Sequence, residues 1–239
     1  MRLTVVGSSP AWPNPGGAQS GYLVEGPGRL LLDCGNGVLA RLRQTSPWPD
    51  VEAVVISHFH LDHWGDLVPW AWGVLHGPGG GVEPAELHLP PGGREYLAGI
   101  AVQLGGERDL FERTFDVSEY APDVPREVAG FEVVPLRVLH YRAETFGARV
   151  SDGQTTLAYS ADSAPTDGLV ELARGSDLFL CEATLAGGEP EPRGHLSLAE
   201  AESVFAASGS SRLLVTHRPR ELPVGDGVEL AREGLEIEL

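Results

Sequence analysis

The residues best suited to chemistry lie in one six-residue segment, His58–His63, which carries three imidazoles and a carboxylate. It directly follows Ala53–Ile56, an apolar run with the length and β-branching of a buried strand. His58 and His60 are two residues apart, so in extended backbone their side chains project to one side. A metal with nitrogen and oxygen ligands requires such a group. A polar exposed loop is the alternative, but this composition is rare in a chain with only eight histidines, and the segment therefore predicts a metal site.

Five apolar runs each lead to a residue that can bind a metal. These residues are His58, His140, Asp162, Glu182 and His217. Open layered folds place their sites at the carboxyl ends of strands. Chance could supply one or two such endings, whereas a shared sheet edge lined with ligands explains all five.

The number of ligands indicates how many cations are bound. Two sets of three and one bridging carboxylate are expected, namely His58, His60 and His140; Asp62, His63 and His217; and Asp162. Seven ligands are too many for one tetrahedral zinc but suit two metals that share a carboxylate and a water. Two such cations would generate hydroxide near neutral pH, which indicates hydrolysis.

The remaining sequence alternates short strands and helices, which predicts an α/β protein with one domain over residues 1–239. The predicted strands are Leu3–Val6, Gly21–Glu25, Arg29–Leu32, Ala53–Ser57, Glu86–Leu89, Phe131–Val134, Arg137–Leu139, Phe146–Val150, Thr155–Ser160, Leu178–Cys181 and Leu213–Thr216. The predicted helices are Val38–Gln44, Leu67–Trp72, Gly92–Leu104, Asp167–Ala173, Ser197–Ala207 and one around Val228–Glu233. Ser197 and Glu200 form a capping box, which sets the start of its helix.

The formal net charge of −17 bears on the choice of partner. An acidic surface repels a polyphosphate backbone, and no basic cluster is present, so long nucleic acid is a disfavoured partner. A small anion drawn to a metal remains compatible. No run approaches the ~20 apolar residues of a membrane span. Cys34 and Cys181 are expected to be buried thiols rather than a disulfide, and without a secretory signal the expected location is the cytoplasm.

His58-Phe59-His60-Leu61-Asp62-His63, followed in order by His140, Asp162 and His217, resembles the metallo-β-lactamase fold superfamily. The resemblance covers nearly the whole chain. It implies a four-layer αββα sandwich and a centre of two divalent cations, with Zn²⁺ expected and Mn²⁺ compatible with the same ligands. Asp62 is expected to act both as ligand and as hydrogen-bond acceptor for the nucleophilic water.

Three later segments are similar to the ribonuclease Z-like phosphodiesterases. They are Glu182-Ala183-Thr184, Gly194-His195-Leu196-Ser197 and Leu214-Val215-Thr216-His217. The resemblance implies that His195 protonates the leaving oxygen and that Glu182 supports it. Leu196-Ser197 departs from the Ser-Thr usual in that branch. An exposed loop histidine and a carboxylate that only orients it or caps a strand are the open alternatives.

The same resemblance suggests where substrate binds. Gly7-Ser8-Ser9 and Ser20-Gly21-Tyr22 are similar to an N-terminal loop that could hold a phosphate, and Glu144–Gly147 is similar to armless bacterial cyclic-nucleotide phosphodiesterases. Ser8, Ser20 and Phe146 are therefore the expected substrate-binding residues. The 21 residues between His140 and Asp162 leave no room there for the arm with which ribonuclease Z grips transfer RNA.

The resulting hypothesis is a dinuclear phosphodiesterase that acts on a small molecule such as 3′,5′-cAMP. A ribonuclease Z-like RNA 3′-end nuclease is one alternative. A thioester or lactone hydrolase of the superfamily is another, although those enzymes generally lack the Gly-His-x-Ser element. A non-catalytic, metal-stabilised binding protein is a third. The branch also implies a homodimer.

Overall fold

A computed structural model describes residues 1–239 as two β-sheets flanked by helices. The strands are β1 (Arg2–Gly7), β2 (Gly21–Glu25), β3 (Arg29–Leu32), β4 (Ala53–Val55), β5 (Glu86–Leu89), β6 (Asp116–Glu119), β7 (Arg126–Val128), β8 (Phe131–His140), β9 (Ala143–Ser151), β10 (Thr156–Tyr159), β11 (Leu178–Glu182), β12 (Leu213–Thr216) and β13 (Glu236–Glu238). The helices are α1 (Val38–Leu42), α2 (Leu61–Trp64), α3 (Leu67–His76), α4 (Gly93–Gln103), α5 (Asp167–Ala173) and α6 (Leu198–Ser208).

The two sheets and the helices form four layers. One sheet has the strand order β13-β1-β2-β3-β4-β5-β6, and the other has the order β12-β11-β10-β9-β8-β7. One apolar core lies between the sheets, a second lies between the first sheet and α3 and α4, and a third lies between the second sheet and α5 and α6. The expected four-layer αββα sandwich is confirmed.

The central strands are apolar along their whole length because both of their faces are covered. In β3, Leu30 and Leu32 join the core between the sheets, while Leu31 joins the core under the helices. All three are essentially inaccessible to solvent. Alternate side chains of a strand point to opposite faces, so a strand buried on both sides reads as a continuous apolar run.

The carboxyl ends of the strands that carry the predicted ligands meet at one edge. Strand β10 is parallel to β11, and β11 is parallel to β12. β8 and β10 both pair with β9 in the antiparallel sense, so β8 runs in the same direction as β10. In the other sheet β4 is parallel to β3 and β5. The topology therefore collects the strand-terminal His, Asp and Glu residues at one place.

Two predicted strands, Phe131–Val134 and Arg137–Leu139, are a single strand, β8, that continues through Pro135. A proline normally interrupts a ladder because it lacks an N–H. Here the Pro135 carbonyl accepts a hydrogen bond from the Asp123 N–H (2.8 Å), on the side of β8 away from β9. The missing N–H lies on that same side, so the pairing of β8 with β9 is unbroken.

The predicted helix around Val228–Glu233 is wrong. That segment lies alongside β12, where Leu230 bridges Val215 in parallel and the Ala231 N–H donates to the Val215 carbonyl (2.7 Å). β13 follows and adds an unpredicted edge strand to the first sheet by pairing with β1. Pairing with distant strands here overrides the local preference for helix. The mostly polar strands β6 and β7 were also not predicted.

Helix α6 begins where the sequence predicts. Ser197 is its N-cap, and the reciprocal capping box with Glu200 is present. At 11 residues each, α4 and α6 are the longest helices. None of the helices has the length and apolar character needed to cross a membrane.

Candidate metal centre

The histidine-rich segment changes from strand to helix within a few residues. His58 follows β4 after Ile56 and Ser57, and His60 is the N-cap of α2. Asp62 and His63 lie in α2 itself. His58, Asp62 and His63 are buried, whereas His60 stays exposed at the rim. The change of direction allows side chains from one short segment to face two neighbouring positions.

The structure brings all seven predicted ligands together in two groups that share Asp162. The groups are His58, His60, His140 and Asp162; and Asp62, His63, Asp162 and His217, with ligand atoms within 4.8 Å of one another in each. The Asp162 Oδ2 atom lies 3.8 Å from His58 Nε2, 3.7 Å from His140 Nε2 and 3.3 Å from His63 Nε2. In the second group His217 Nε2 lies 3.1 Å from Asp62 Oδ2.

Several polar atoms at this centre have no partner in the protein. His58 Nε2, His63 Nε2 and Asp162 Oδ1 are buried and make no hydrogen bond. Leaving such a group unsatisfied costs about 1–3 kcal/mol. One cation held by each group would satisfy these atoms, and the nitrogen and carboxylate donors suit Zn²⁺. The residues present therefore fit two divalent cations.

A second layer of hydrogen bonds fixes the tautomers of the histidines. The Nδ1 atoms of four imidazoles bond outward, in the pairs His58 with Ser57 Oγ (3.0 Å), His63 with Asp33 Oδ2 (2.7 Å), His140 with the Gly194 carbonyl (2.6 Å) and His217 with Thr184 Oγ1 (2.9 Å). With Nδ1 bonded outward, Nε2 of each ring faces the centre, where His140 Nε2 contacts His60 Nδ1 (2.8 Å) and His217 Nε2 contacts Asp62 Oδ2 (3.1 Å). A bound cation would take the place of these contacts between ligands.

Asp33 is a supporting residue that the sequence reasoning missed. Its Oδ2 accepts hydrogen bonds from the Ser57 hydroxyl (2.8 Å), the His63 ring (2.7 Å) and the Tyr159 hydroxyl (2.7 Å). The residue is fully buried and has a φ of +60°. The available signal was its position, because Asp33 directly follows β3 as His58 follows β4. The sequence analysis gave it no role, because it lies just beyond the predicted strand Arg29–Leu32.

Most of the ligands have pKa shifts that match their role. The exception is His63: burial opposes its charged form, but Asp162 and Asp33 outweigh burial and raise the pKa of His63 well above its usual range, so this ring must lose a proton when a cation binds. Burial lowers the pKa of His58 and of His140, so both imidazoles are neutral near pH 7. Burial alone would raise the pKa of Asp162, but His217 and His63 outweigh it and hold that pKa well below its usual range. Hydrogen bonds from His217 and His63 likewise lower the pKa of Asp62 against the effect of burial. Neutral imidazoles and ionised carboxylates are the forms that bind cations.

His195 lies beside the two groups and is held by Glu182. The His195 Nδ1–H donates to Glu182 Oε1 (2.8 Å), and its ring centre lies 4.8 Å from that of His140 and 5.8 Å from that of His217. Burial opposes the charged form, but the Glu182 carboxylate outweighs it and raises the pKa of His195 to about 9. Before any cation binds, the ring therefore carries a proton at neutral pH, which suits a general acid.

Glu182 supports more than His195. It is fully buried at the end of β11, and its Oε2 accepts a hydrogen bond from the Thr184 hydroxyl (2.7 Å), the group that holds the His217 ring. Its Oε1 also accepts from the Ser163 N–H (2.9 Å), next to Asp162. One carboxylate thus orients the expected acid and a metal ligand.

A family model described as a beta-lactamase superfamily domain matches residues 28–218. The chain belongs to this superfamily. The matched residues include the seven candidate ligands, Glu182 and His195, and the resemblance seen in the motifs is confirmed at the level of the superfamily.

Three relatives are similar to this chain along most of its length. A protein of uncharacterised function from Mycobacterium tuberculosis is 38% identical over 224 residues, which cover 92% of this chain and 81% of the relative. The probable metallo-hydrolase YhfI of Bacillus subtilis is 31% identical over 92% of this chain and 87% of its own. A ribonuclease Z of Myxococcus xanthus is 28% identical, covering 91% and 86%.

The crystal structure of YhfI, a metallo-beta-lactamase fold protein, superposes with a TM-score of 0.85 at 26% identity and covers 99% of each chain. The shared fold, the named metallo-hydrolase relative and the candidate metal-binding clusters agree with one another. The protein is a metal-dependent hydrolase.

The three expected substrate-binding residues have different surroundings in this hydrolase. The Ser20 N–H donates to the carbonyl of Asp62 (3.2 Å), and its hydroxyl is buried without a partner. Ser8 lines a cavity together with Arg218, the residue after His217. Phe146, however, is 1% exposed and packs on Tyr120 in the core between the sheets, with ring centres 5.4 Å apart. The assignment of Phe146 to substrate binding was wrong, because its position in β9 directs the ring into that core.

Proposed function

We propose that this hydrolase cleaves a phosphodiester at a centre of two cations, with a 3′,5′-cyclic nucleotide such as cAMP as its substrate. The observation that carries the proposal is the His195–Glu182 pair beside the ligand groups. Cleavage of a phosphodiester releases an alkoxide, which must be protonated, and a protonated imidazole at this position can do so.

The ligands have assigned roles in this proposal. His58, His60 and His140 would hold one cation, Asp62, His63 and His217 the other, and Asp162 would bridge them. Zn²⁺ is the proposed metal, and Mn²⁺ suits overlapping ligands. When bound, two such cations supply a water nucleophile at neutral pH and neutralise charge on the phosphoryl oxygens.

The side chains themselves perform the proton transfers. Asp62 would accept a hydrogen bond from the attacking water and so orient it. The proton that His195 transfers would lie on Nε2, because the Nδ1–H is hydrogen-bonded to Glu182. That proton would pass to the departing ribose oxygen as the bond to phosphorus breaks.

A cavity of about 480 Å³ is lined by Arg218, the residue after His217, but by none of the candidate ligands or His195, so it bears on the attraction of an anionic substrate rather than on its contact with the cations. Ser8, Arg218, Arg220 and Arg232 are among its lining residues. Arg220 and Arg232 make no side-chain hydrogen bond or ion pair, unlike most of the 17 arginines in a chain that lacks lysine. Two unpaired guanidinium groups favour binding of a small anion to an otherwise acidic protein.

An RNA substrate is the second candidate, favoured by the similarity to a ribonuclease Z. The hairpin between β8 and β9 is closed by only two residues, Tyr141 and Arg142, and the connection from β9 to β10 spans only Asp152–Thr155. These tight turns leave no arm that could grip RNA between His140 and Asp162. A cyclic nucleotide therefore remains the preferred substrate. The His195–Glu182 pair also disfavours a thioester, because a thiolate leaves without needing a proton.

The test is a side-by-side assay of the purified protein on 3′,5′-cAMP, a 2′,3′-cyclic nucleotide, a transfer-RNA precursor and a thioester, with chelator-treated protein as control. We expect the highest kcat/KM for 3′,5′-cAMP, and we expect no hydrolysis of any substrate by the chelator-treated protein. A higher kcat/KM for the RNA or the thioester would overturn the substrate assignment. Two bound metals without hydrolysis of any substrate, bis-p-nitrophenyl phosphate included, would indicate a binding protein.

The expected homodimer and cytoplasmic location stay predictions. Light scattering during gel filtration would show whether the protein in solution has twice the mass of the 25.4 kDa chain. Fractionation of cells that make the protein would show whether it lies in the cytoplasm.

A further inference from the structure

The loop that leads to His195 is tied down by one carboxylate, that of Glu189. Glu189 Oε1 accepts hydrogen bonds from the N–H groups of Gly194 (2.6 Å) and His195 (3.0 Å). Its Oε2 accepts a hydrogen bond from the Tyr141 hydroxyl (3.0 Å). The Glu189 side chain therefore holds both the backbone of His195, the expected acid, and the side chain of Tyr141, which lies in the β8–β9 hairpin.

Tyr141 directly follows the ligand His140, at the tip of the β8–β9 hairpin. Its φ is +47°, and its N–H donates to the Arg193 carbonyl (2.8 Å). Two-residue hairpin turns usually place Gly, Asn or Asp at positive φ. A bulky residue at positive φ is strained, and this backbone conformation persists only where the surroundings enforce it.

Gly194 is the point where the hairpin and the loop meet. The Tyr141 ring lies so close to Gly194 that a Cβ added there would be 2.2 Å from the ring. The Gly194 carbonyl accepts the hydrogen bond from His140 Nδ1 (2.6 Å). Only glycine allows the ring, the loop and the metal-ligand histidine to approach in this way, so the position of His195 is linked directly to that of His140.

We propose that Tyr141 and Glu189 form a clamp that positions His195 for proton transfer to the leaving group. The clamp rests on the proposed function, because it concerns the acid of that reaction. Glu189 acts through the backbone N–H groups of Gly194 and His195. Tyr141 acts through its hydroxyl contact with Glu189 and through its ring, which packs edge-on against the His195 ring with the ring centres 5.5 Å apart. A displacement of about 1 Å in a reacting group can cost about 100-fold in rate.

The test compares two substrates with different leaving groups. Release of p-nitrophenolate from bis-p-nitrophenyl phosphate needs little help from an acid, whereas release of the ribose alkoxide from 3′,5′-cAMP needs a proton. We expect Glu189→Ala to lower kcat for cAMP by about tenfold or more and kcat for the nitrophenyl ester by less than about threefold, a difference that follows from loss of general acid catalysis.

Two conservative variants and a control sharpen this test. Glu189→Gln keeps an oxygen that accepts from the Gly194 and His195 N–H groups, and it should recover most of the cAMP activity. Tyr141→Phe removes only the hydroxyl contact and should show a smaller loss with the same substrate preference. Glu202→Ala, on the exposed face of α6, should change neither rate. Metal content and melting temperature are measured for every variant.

Equal losses of activity on both substrates in Glu189→Ala and in Tyr141→Phe would overturn the clamp, because they would indicate a general structural role. Unchanged rates in both variants would also overturn it. His195→Ala in the same assay separates the two proposals. If His195→Ala selectively loses cAMP activity while both clamp variants do not, the clamp alone fails. If His195→Ala shows no such selectivity, the proposed function fails.

Discussion

Asp162 is the residue on which the two halves of the centre depend. Its carboxylate lies within 3.8 Å of ring nitrogens from four histidines, and one of its oxygens has no hydrogen-bond partner. Asp33 accepts a hydrogen bond directly from His63 and holds His58 through the Ser57 hydroxyl. Glu182 accepts directly from His195 and holds His217 through the Thr184 hydroxyl. The ligands are thus oriented before a cation arrives, which is how supporting carboxylates raise metal affinity.

Asp33→Asn tests this supporting layer. An amide has one acceptor oxygen, which cannot replace both Oδ1, the acceptor from the Ser57 N–H (2.7 Å), and Oδ2, the acceptor from the Ser57 hydroxyl, His63 and Tyr159. We expect the affinity for one of the two metals to fall by about 10–100-fold, as is typical for loss of such a partner. Competition with a coloured chelator measures the affinity.

Asp123→Asn is the matched control for that variant. Asp123 has the same φ of +60° but is exposed, so the substitution imposes the same change on the backbone without touching the centre. Its metal affinity should equal that of the wild type. Unaltered affinity in Asp33→Asn would show that Asp33 does not orient His63.

At the scale of elements, the loop that carries His195 runs from the end of β11 to the start of α6, and the N-cap of α6 fixes its second end. His195 lies two residues before the N-cap Ser197, and the Ser197 side chain and N–H both contact Glu200 Oε2. The same loop is fixed at its other end by β11. His195, the expected acid, is therefore held between a strand and a helix.

Ser197→Ala should lower the free energy of unfolding by about 1 kcal/mol, the usual effect of losing an N-cap side chain. Urea denaturation followed by circular dichroism measures it. Ser203→Ala, in the exposed middle of the same helix, is the control and should change stability by less than about 0.5 kcal/mol. A variant as stable as the wild type would show that the cap does not determine where α6 begins.

Features that depend on neighbouring residues could be predicted from the sequence, and those that depend on distant pairing could not. The segment His58–His63 and the Ser197 capping box carry their signal within a few residues. Phe146 and the segment Val228–Glu233 were misjudged because their surroundings come from other strands. Asp33 was missed because a single aspartate after a strand resembles an ordinary turn former until the ring of His63 is placed against it.

At the scale of the whole molecule, the centre lies where the two sheets meet. His58 and Asp162 come from different sheets, as do His63 and His217. Bound cations would therefore link the two halves of the sandwich. Without them, buried carboxylates and unsatisfied imidazole nitrogens remain between the sheets.

Removal of the metals should therefore destabilise the whole fold. A ligand present at 1,000 times its Kd stabilises a protein by about 4 kcal/mol, and about 1 kcal/mol shifts Tm by about 2–4 °C at this chain length. We expect chelation to lower Tm by about 10 °C in differential scanning calorimetry, with recovery when Zn²⁺ is restored. A Tm that does not respond to chelator would place the cations outside the junction of the sheets.

The central claim, that His195 delivers a proton to the leaving group at this centre, is tested most directly by a leaving-group series. The measurement is kcat for a set of aryl and alkyl phosphodiesters of increasing leaving-group pKa, with wild type, His195→Ala and the exposed control His76→Ala, all at equal metal content. The ratio of the wild-type rate to the His195→Ala rate should rise as the leaving group becomes poorer, reaching about 100-fold or more for alkoxides, while His76→Ala matches the wild type. A ratio that stays constant across the series would contradict the role of His195.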